Sequence, residues 1–456
     1  MTKSWTGKIA AAACAASLSL AAWALPVGPA AAQGISLVRD AETEEMLRDF
    51  TDPILRAANI DPRDVHIYIV QDRSLNAFVA LGQNIFVHTG LILAADTPAQ
   101  LKGVIAHETG HIAGGHLARS QEAAAQSLIP VAASILLGAA AIAAGAPDAG
   151  IALITGAQQF GQANFVRFTQ VQESSADQAG VSYLTTLQES PEGLLQFFEK
   201  FRYAEVVSAT RVPPYFRTHP LSSDRIESLR ERIARAPGGP AKADDVRRFE
   251  LVRAKLRGYL DAPGDTFARY PASDTSEPAR YARAYAAYRA PDLKRAQQEL
   301  NALMAMQPDN PYYPELMGQL LFEHQRADDA IPFQRRCLVL RPHSALFQIA
   351  LARSLAASEQ PERLAEADAL LRQATAIEPD STFAWTELAR VQDLQGQPAL
   401  ARLSTAEAYF SAGAYDGALE FAERAKKEGL AVGTVPWRRA QDISDFAKVE
   451  LGKRRG

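Results

Sequence analysis

Apolar and polar residues alternate along this chain with two different periods, and the change of period divides it. From Gly34 to about Ala58, Leu37, Met46, Leu47, Phe50, Ile54 and Leu55 recur among charges at helical spacing and predict an opening amphipathic helix. Residues 65–70 and 83–88 are β-branched and aromatic runs that predict two strands, joined through Asn76, Ala77, Phe78 and Gly82. Helical spacing returns at Leu101, Val104, Ile105 and Ile112. Ahead of them, Thr97-Pro98-Ala99-Gln100 offers an N-cap, a first-turn proline and a capping box. Residues 123–147 carry no charge, and after Asp148 a second uncharged run reaches residue 166. Each is long enough for a bilayer, which takes ~20 residues. Their Ala and Gly content, with Pro130 in the first, favours a buried or site-covering helical hairpin, with membrane-surface contact and true spanning as the alternatives. Residues 165–180 are again helical in period.

After the Ala236-Pro-Gly-Gly-Pro240 linker the helical pattern starts to repeat. Pro308 and Pro342 end helical pairs 34 residues apart, and Pro379 follows 37 residues later. The first interval is the tetratricopeptide (TPR) period, and the second is that period with three extra residues near Gln360-Pro361-Glu362. Gly318, Ala330, Ala367 and Ala374 fall where paired helices must approach closely, Leu371 packs between them, and Trp385 opens the next repeat. Residues 277–427 therefore resemble a TPR array with degraded terminal units.

With 456 residues, 47% of them hydrophobic, the chain has core material for two or three domains. Its net charge of −4, from 48 basic and 52 acidic residues without long runs, leaves no nucleic-acid footprint. Lys3 and Lys8, the apolar stretch 9–25 and Ala30-Ala31-Ala32 read as a cleaved export signal, with an uncleaved anchor as the alternative. Cys14 lies inside that signal. Cys337 is then the one cysteine of the mature chain, a small hydrophobe in a packed helix, and no internal disulfide can form.

The chemistry concentrates in His107-Glu108-x-x-His111 on the predicted helix. Residues four apart share a helix face, so both imidazoles can reach one metal ion, and Glu108 beside it can take a proton from metal-activated water. Glu173 and Asp177, also four apart, place two carboxylates on a second helix face: Glu173 as third ligand, Asp177 to orient a ligand histidine. A third metzincin-type histidine would fall at position 117, which is Leu, so His116 reads as a supporting or surface residue. Residues 76–81 are a candidate substrate edge, since extended peptides pair with free strands, although an ordinary hairpin fits equally. The Pro-bounded segment Pro213-Pro214-Tyr215-Phe216-Arg217-Thr218-His219-Pro220 presents a further histidine, and Arg225 follows in a helix rich in Arg and Glu.

His107-Glu108-x-x-His111, Glu173-x-x-Ala176-Asp177, the upstream Asn76-Ala77-Phe78 and the downstream Thr218-His219-Pro220 together resemble the HtpX-like and CAAX-prenyl-protease-related zinc metallopeptidases over about residues 40–235. Ser175 departs from the pattern, standing where many relatives carry a second Glu, and the multiple spanning helices of integral-membrane members are not evident. The resemblance implies an α+β gluzincin-type peptidase domain, mostly helical with a small sheet, followed by an all-α TPR solenoid. It implies one Zn2+ per chain on His107, His111 and Glu173, Glu108 as base, and Asp177 and Arg225 behind the ligands. The expected division is a signal peptide at 1–32, the peptidase domain at 33–236, a linker and bridging helix at 237–276, the repeats at 277–432 and a C-terminal helix or tail at 433–456. Such a fusion is similar to envelope members of the family. That implies a periplasmic endopeptidase acting on misassembled or unfolded outer-membrane proteins, its array binding substrate or assembly machinery. A TPR chaperone or scaffold with a largely latent peptidase, and a membrane-integrated protease, are the alternatives. His219 has two candidate roles: donor to the tetrahedral oxyanion, or a plug on the open metal position, with the plug slightly favoured.

Overall fold

A computed structural model describes residues 36–119, 134, 136–137, 168–207, 213–236 and 238–453. The expected signal peptide and most of the uncharged 123–166 hairpin, with its proposed membrane contact, lie outside the described residues. The first domain opens with strand β1 (Leu37–Val38) and helix α1 (Ala41–Ala57). Leu37 thus belongs to a strand, not to the predicted helix: Asp40, whose carboxylate accepts from Thr43 N–H at 2.8 Å, caps α1 three residues later. Met46, Leu47, Phe50, Ile54 and Leu55 all enter the core from its buried face.

Strands β2 (Ile67–Val70), β3 (Ala77–Ala80) and β4 (Asn84–His88) complete a sheet of order β1-β2-β4-β3. The connection expected through residues 76–78 is itself strand from Ala77 on. β3 pairs antiparallel with β4, which runs parallel to β2, so β3 forms one edge of the sheet. Helix α2 (Thr89–Ala94) then leads to α3 (Pro98–Ala113), the motif helix. Thr97 caps it through Gln100 N–H, while the Gln100 side chain accepts from Asp96 N–H, one residue before the position a capping box would use.

Helix α4 (168–186) crosses α3, and α5 (Glu192–Val207), α6 (Pro214–Thr218) and α7 (Ser223–Arg235) close the domain. Buried Lys102 bonds both Glu189 and Asp245, tying α3 to the chain beyond residue 236. There lie α8 (Ala243–Leu260) and α9 (Pro263–Arg269). α8 sends Phe249, Val252 and Leu256 into the peptidase core and Leu251 into the core of the array, so the bridging segment is buried on two sides.

Five helical hairpins follow among the described residues: α10 (Glu277–Arg289) with α11 (Leu293–Met306), α12 (Tyr312–Glu323) with α13 (Ala327–Leu340), α14 (Ala345–Ala356) with α15 (Pro361–Ile377), α16 (Thr382–Leu394) with α17 (Pro398–Ser411), and α18 (Tyr415–Lys427) with α19 (Val435–Lys453). The small residues sit where the repeat required them. A Cβ on Gly318 would lie 2.8 Å from Gln334 Cγ, and Ala330, Ala367 and Ala374 are fully buried.

The start of α1 fastens the two parts together. Glu42 accepts from the Tyr281 hydroxyl at 2.7 Å, Lys255 lies 2.5 Å from Asp40, Glu45 accepts from the Tyr312 hydroxyl at 2.6 Å and pairs with Arg341 at 3.2 Å, and Arg39 reaches Glu378 at 2.8 Å. Among the described residues no helix is long and apolar enough to cross a membrane.

Candidate metal centre

The site is set by how closely α3 and α4 approach. A Cβ on Gly110 would stand 2.8 Å from the Ala176 carbonyl oxygen, and one on Gly180 would stand 3.2 Å from the Ala106 carbonyl carbon. Each glycine receives the backbone of the facing helix, and Glu173, one turn before Ala176, meets both histidines of α3. His107 Nε2 and His111 Nε2 are 3.0 Å apart, and the Glu173 oxygens lie 3.4 Å from the first and 3.3 Å from the second. His219, capping the one-turn helix α6 rather than standing in an open loop, brings Nδ1 to 3.0 Å from Glu173 and 3.2 Å from His107 Nε2.

These four groups offer ligand atoms within 4.8 Å of one another. Zinc bonds of ~2.0–2.1 Å to N and O put tetrahedral ligand atoms about 3.3 Å apart, close to the spacings seen here, so the donor set fits such an ion.

The surroundings fix the rings. His107 Nδ1 lies 2.9 Å from Asp177 Oδ1, and Arg225 grips Asp177 with Nε at 2.5 Å and Nη2 at 2.9 Å while Nη1 reaches Glu173 at 2.9 Å. The Arg225 guanidinium also covers the Phe198 ring at 4.8 Å, and His116 Nδ1 stands 3.0 Å from His111 Nδ1. His116 therefore braces the His111 ring.

Burial works against every charge here, and the partners decide the outcome. It disfavours protonated His107, but hydrogen bonds to Asp177 and Glu173 outweigh it and hold that imidazole at about 9. It disfavours ionised Glu173, yet bonds from His107, His111 and His219 hold this carboxyl far below the usual range. Asp177, equally buried, is held down chiefly by Arg225. Glu108 lacks such bonds, and burial lifts it to about 7 against the weaker pull of His107 and His111. A carboxyl near neutrality can accept and release a proton in one cycle.

A cleft of about 750 Å³ opens on this cluster, lined among others by Asn76, Phe78, Val79, Glu108, His111 and His219. The structure thus gathers His107, Glu108, His111, Glu173, Asp177, His219 and Arg225 at one point, with Asn76 and Phe78 on the cleft wall. Ala77 does not join them, because its side chain is buried in the sheet. Sequence reasoning gave no part to Tyr215 or Phe198. Tyr215 lies tilted against His219 with ring centroids 4.7 Å apart, and Phe198 meets His107 edge-on at 6.2 Å. Tyr215-Phe216, an aromatic pair between prolines and His219, was the available signal.

Residues 41–233 match peptidase family M48. The chain is 26% identical over 399 residues to the beta-barrel assembly-enhancing protease of Escherichia coli K12, covering 86% of this chain and 80% of that one. It is 30% identical over 296 residues to a putative beta-barrel assembly-enhancing protease of Vibrio cholerae, covering 62% and 60%, and 29% identical over 182 residues to the E. coli metalloprotease LoiP, covering 39% and 66%. A solved TPR protein with an unusual peptide-binding site, YrrB, superposes with a TM-score of 0.32 at 16% identity, covering 38% of this chain and 89% of that one.

Proposed function

We propose that this chain, a metallopeptidase whose residues 41–233 carry a peptidase family M48 domain, is a zinc endopeptidase of the periplasm that cleaves misassembled or unfolded outer-membrane proteins. The observation that carries the enzymatic part is the convergence of four donor groups within 4.8 Å beside a buried Glu108. The relatives' name, beta-barrel assembly-enhancing protease, supports the choice of substrate and a role for the array in holding substrate or assembly machinery.

His107, His111 and Glu173 would hold one zinc ion, which when bound supplies Lewis acidity to water and to the scissile carbonyl. Asp177 and Arg225 keep the His107 ring and the Glu173 carboxylate in place. Glu108 accepts the proton of the attacking water and returns it to the leaving amine. An extended substrate segment lies along the edge of β3 that has no partner strand among the described residues, and just ahead of that strand Asn76 Oδ1, buried and without a partner there, can accept a backbone N–H.

Of the two roles open to His219, its position among the ligands supports the plug: a fourth donor that must withdraw before a substrate carbonyl can enter. This makes the resting enzyme latent, the condition a scaffold or chaperone reading also requires. Glu108→Gln should bind zinc stoichiometrically and fail to cleave an unfolded peptide, whereas His219→Ala should cleave it faster than the parent. Full activity in Glu108→Gln would remove the mechanism. A slower His219→Ala at matched zinc would restore the oxyanion role.

A further inference from the structure

The walls of the cleft that opens on the metal centre are partly apolar, with Phe78 and Val79 of β3, Leu117 beyond α3 and Pro220 after α6. Its ionised side chains fall into two groups. Glu108 and Glu173 are 1% and 3% exposed and belong to the centre itself. Arg217 is the one Arg or Lys that lines the cleft among the described residues, and the chemistry described so far does not use it.

Arg217 is exposed, and its guanidinium has no hydrogen-bond or ion-pair partner among the described residues. Arg225, the arginine behind the ligands, is by contrast spent on Asp177 and Glu173. The backbone that carries Arg217 is nevertheless held firmly. It stands in α6 two residues after Tyr215, whose side chain is fully buried and whose N–H donates to the Leu75 carbonyl at 3.2 Å. Leu75 lies two residues ahead of β3, so α6 hangs on the strand whose edge an extended peptide would follow.

A peptide that fills the cleft displaces water from these walls. A guanidinium that loses water and gains no partner is costly, whereas one that meets a carboxylate makes a charge-assisted, bidentate pair. The carboxylate is the anionic group an unmodified peptide brings, on Asp and Glu side chains and at its C-terminus. A Lys or Arg in the same place would set two like charges together. Such a wall sorts peptides by charge as well as by shape.

We propose that Arg217 is a specificity-determining residue that receives a carboxylate of the bound peptide, so that chains with an acidic group near the scissile bond are preferred and chains with a basic group there are rejected. The inference rests on the peptidase reading and on this cleft as the place of the substrate.

The test uses the full chain with zinc bound and unfolded peptides that have one cleavage site. In one series, blocked at both ends, a single Glu is moved through the positions flanking that site and compared with Gln and Lys. In the other, the free C-terminal acid is compared with its amide. The readout is the ratio of kcat/KM within each pair, in which the fraction of enzyme with His219 withdrawn cancels. The wild type should favour an acidic peptide over its neutral partner about fivefold at low salt, and the ratio should shrink as salt rises. Arg217→Gln should bring the ratio to about one and Arg217→Glu should invert it in favour of Lys, both at parental zinc content and Tm. A preference in the blocked series assigns the carboxylate to a side chain, and one confined to the free acid assigns it to the chain end. A wild type indifferent to charge, or a ratio that survives in Arg217→Gln, overturns the proposal. Anisotropy of labelled peptides on Glu108→Gln keeps the two readings apart. A wild type that cleaves no peptide overturns the peptidase reading, and the inference then falls unless Glu108→Gln binds the acidic peptide more tightly than the neutral one and loses that preference on adding Arg217→Gln.

Discussion

Gly110→Ala is a one-carbon change that separates packing from metal binding. Alanine gains about 1 kcal/mol of helix propensity over glycine, so an unpacked helix would be stabilised. Here the new Cβ would meet the Ala176 carbonyl oxygen at 2.8 Å and its Cα at 2.9 Å, backbone atoms that cannot rotate away. Ordinary contact begins at 3.4 Å, so α4 must retreat by about 0.5 Å, at an overpacking cost of about 1–3 kcal/mol. The two terms nearly offset, and net stability should fall by about 0–2 kcal/mol. The metal does not share that tolerance. Glu173 rides on α4 while His107 and His111 ride on α3, and metal sites hold their distances to about 0.2 Å. A retreat of twice that or more should weaken zinc binding at least tenfold while the domain stays folded. Zinc titration against a competing chelator, paired with thermal melts with and without metal, measures both. Parental zinc affinity in a folded Gly110→Ala protein would refute the claim that helix approach sets the ligand geometry.

Two further perturbations bear on the ligand support and the domain junction. Asp177→Asn should keep the fold and weaken zinc about 10 to 100-fold, because the asparagine carbonyl orients His107 less firmly and answers Arg225 with no charge, and chelator competition reads this directly. Glu315, whose Oε2 is buried without a partner, is raised by desolvation to about 8 near Lys255, Asp40 and Glu42. A carboxyl raised in the fold holds its proton there after the unfolded chain has lost it, so its contribution to stability declines as pH rises from about 4.5 to about 8. Glu315→Gln should flatten that decline in denaturant melts across pH 5 to 9 and be more stable than the parent at the alkaline end.

Local chemistry made much of the site legible in the sequence. Thr97-Pro98 and Gln100 mark the start of α3, and the four-residue spacings fix His107 with His111 and Glu173 with Asp177 on single faces. Pro308, Pro342 and Pro379 mark helix ends because proline ends what glycine and alanine allow to pack. What was not legible depends on contact between distant segments. β3 is four residues long and reads as a connection until β4 pairs with it. α8 is apolar on two sides, since it fills two cores, and so lacks the one-sided pattern of a surface helix. Lys255 meets Asp40 and Glu42 across more than 200 residues, and no local rule links them.

The fastening of α1 also has a temporal side. Arg39 and Glu378 are 339 positions apart, and Glu45 meets Arg341 and Tyr312 at separations of 296 and 267. A chain delivered from its N-terminus produces α1 first, but the partners of its outer carboxylates emerge only when most of the polypeptide has been made. Closures over such distances are slow, so the seating of α1 on the array comes late in folding. Because α1 also packs against α3, the backing of the helix that carries His107 and His111 is finished only then. A chain cut short before residue 312 would thus hold the motif helix without these array contacts that seat α1.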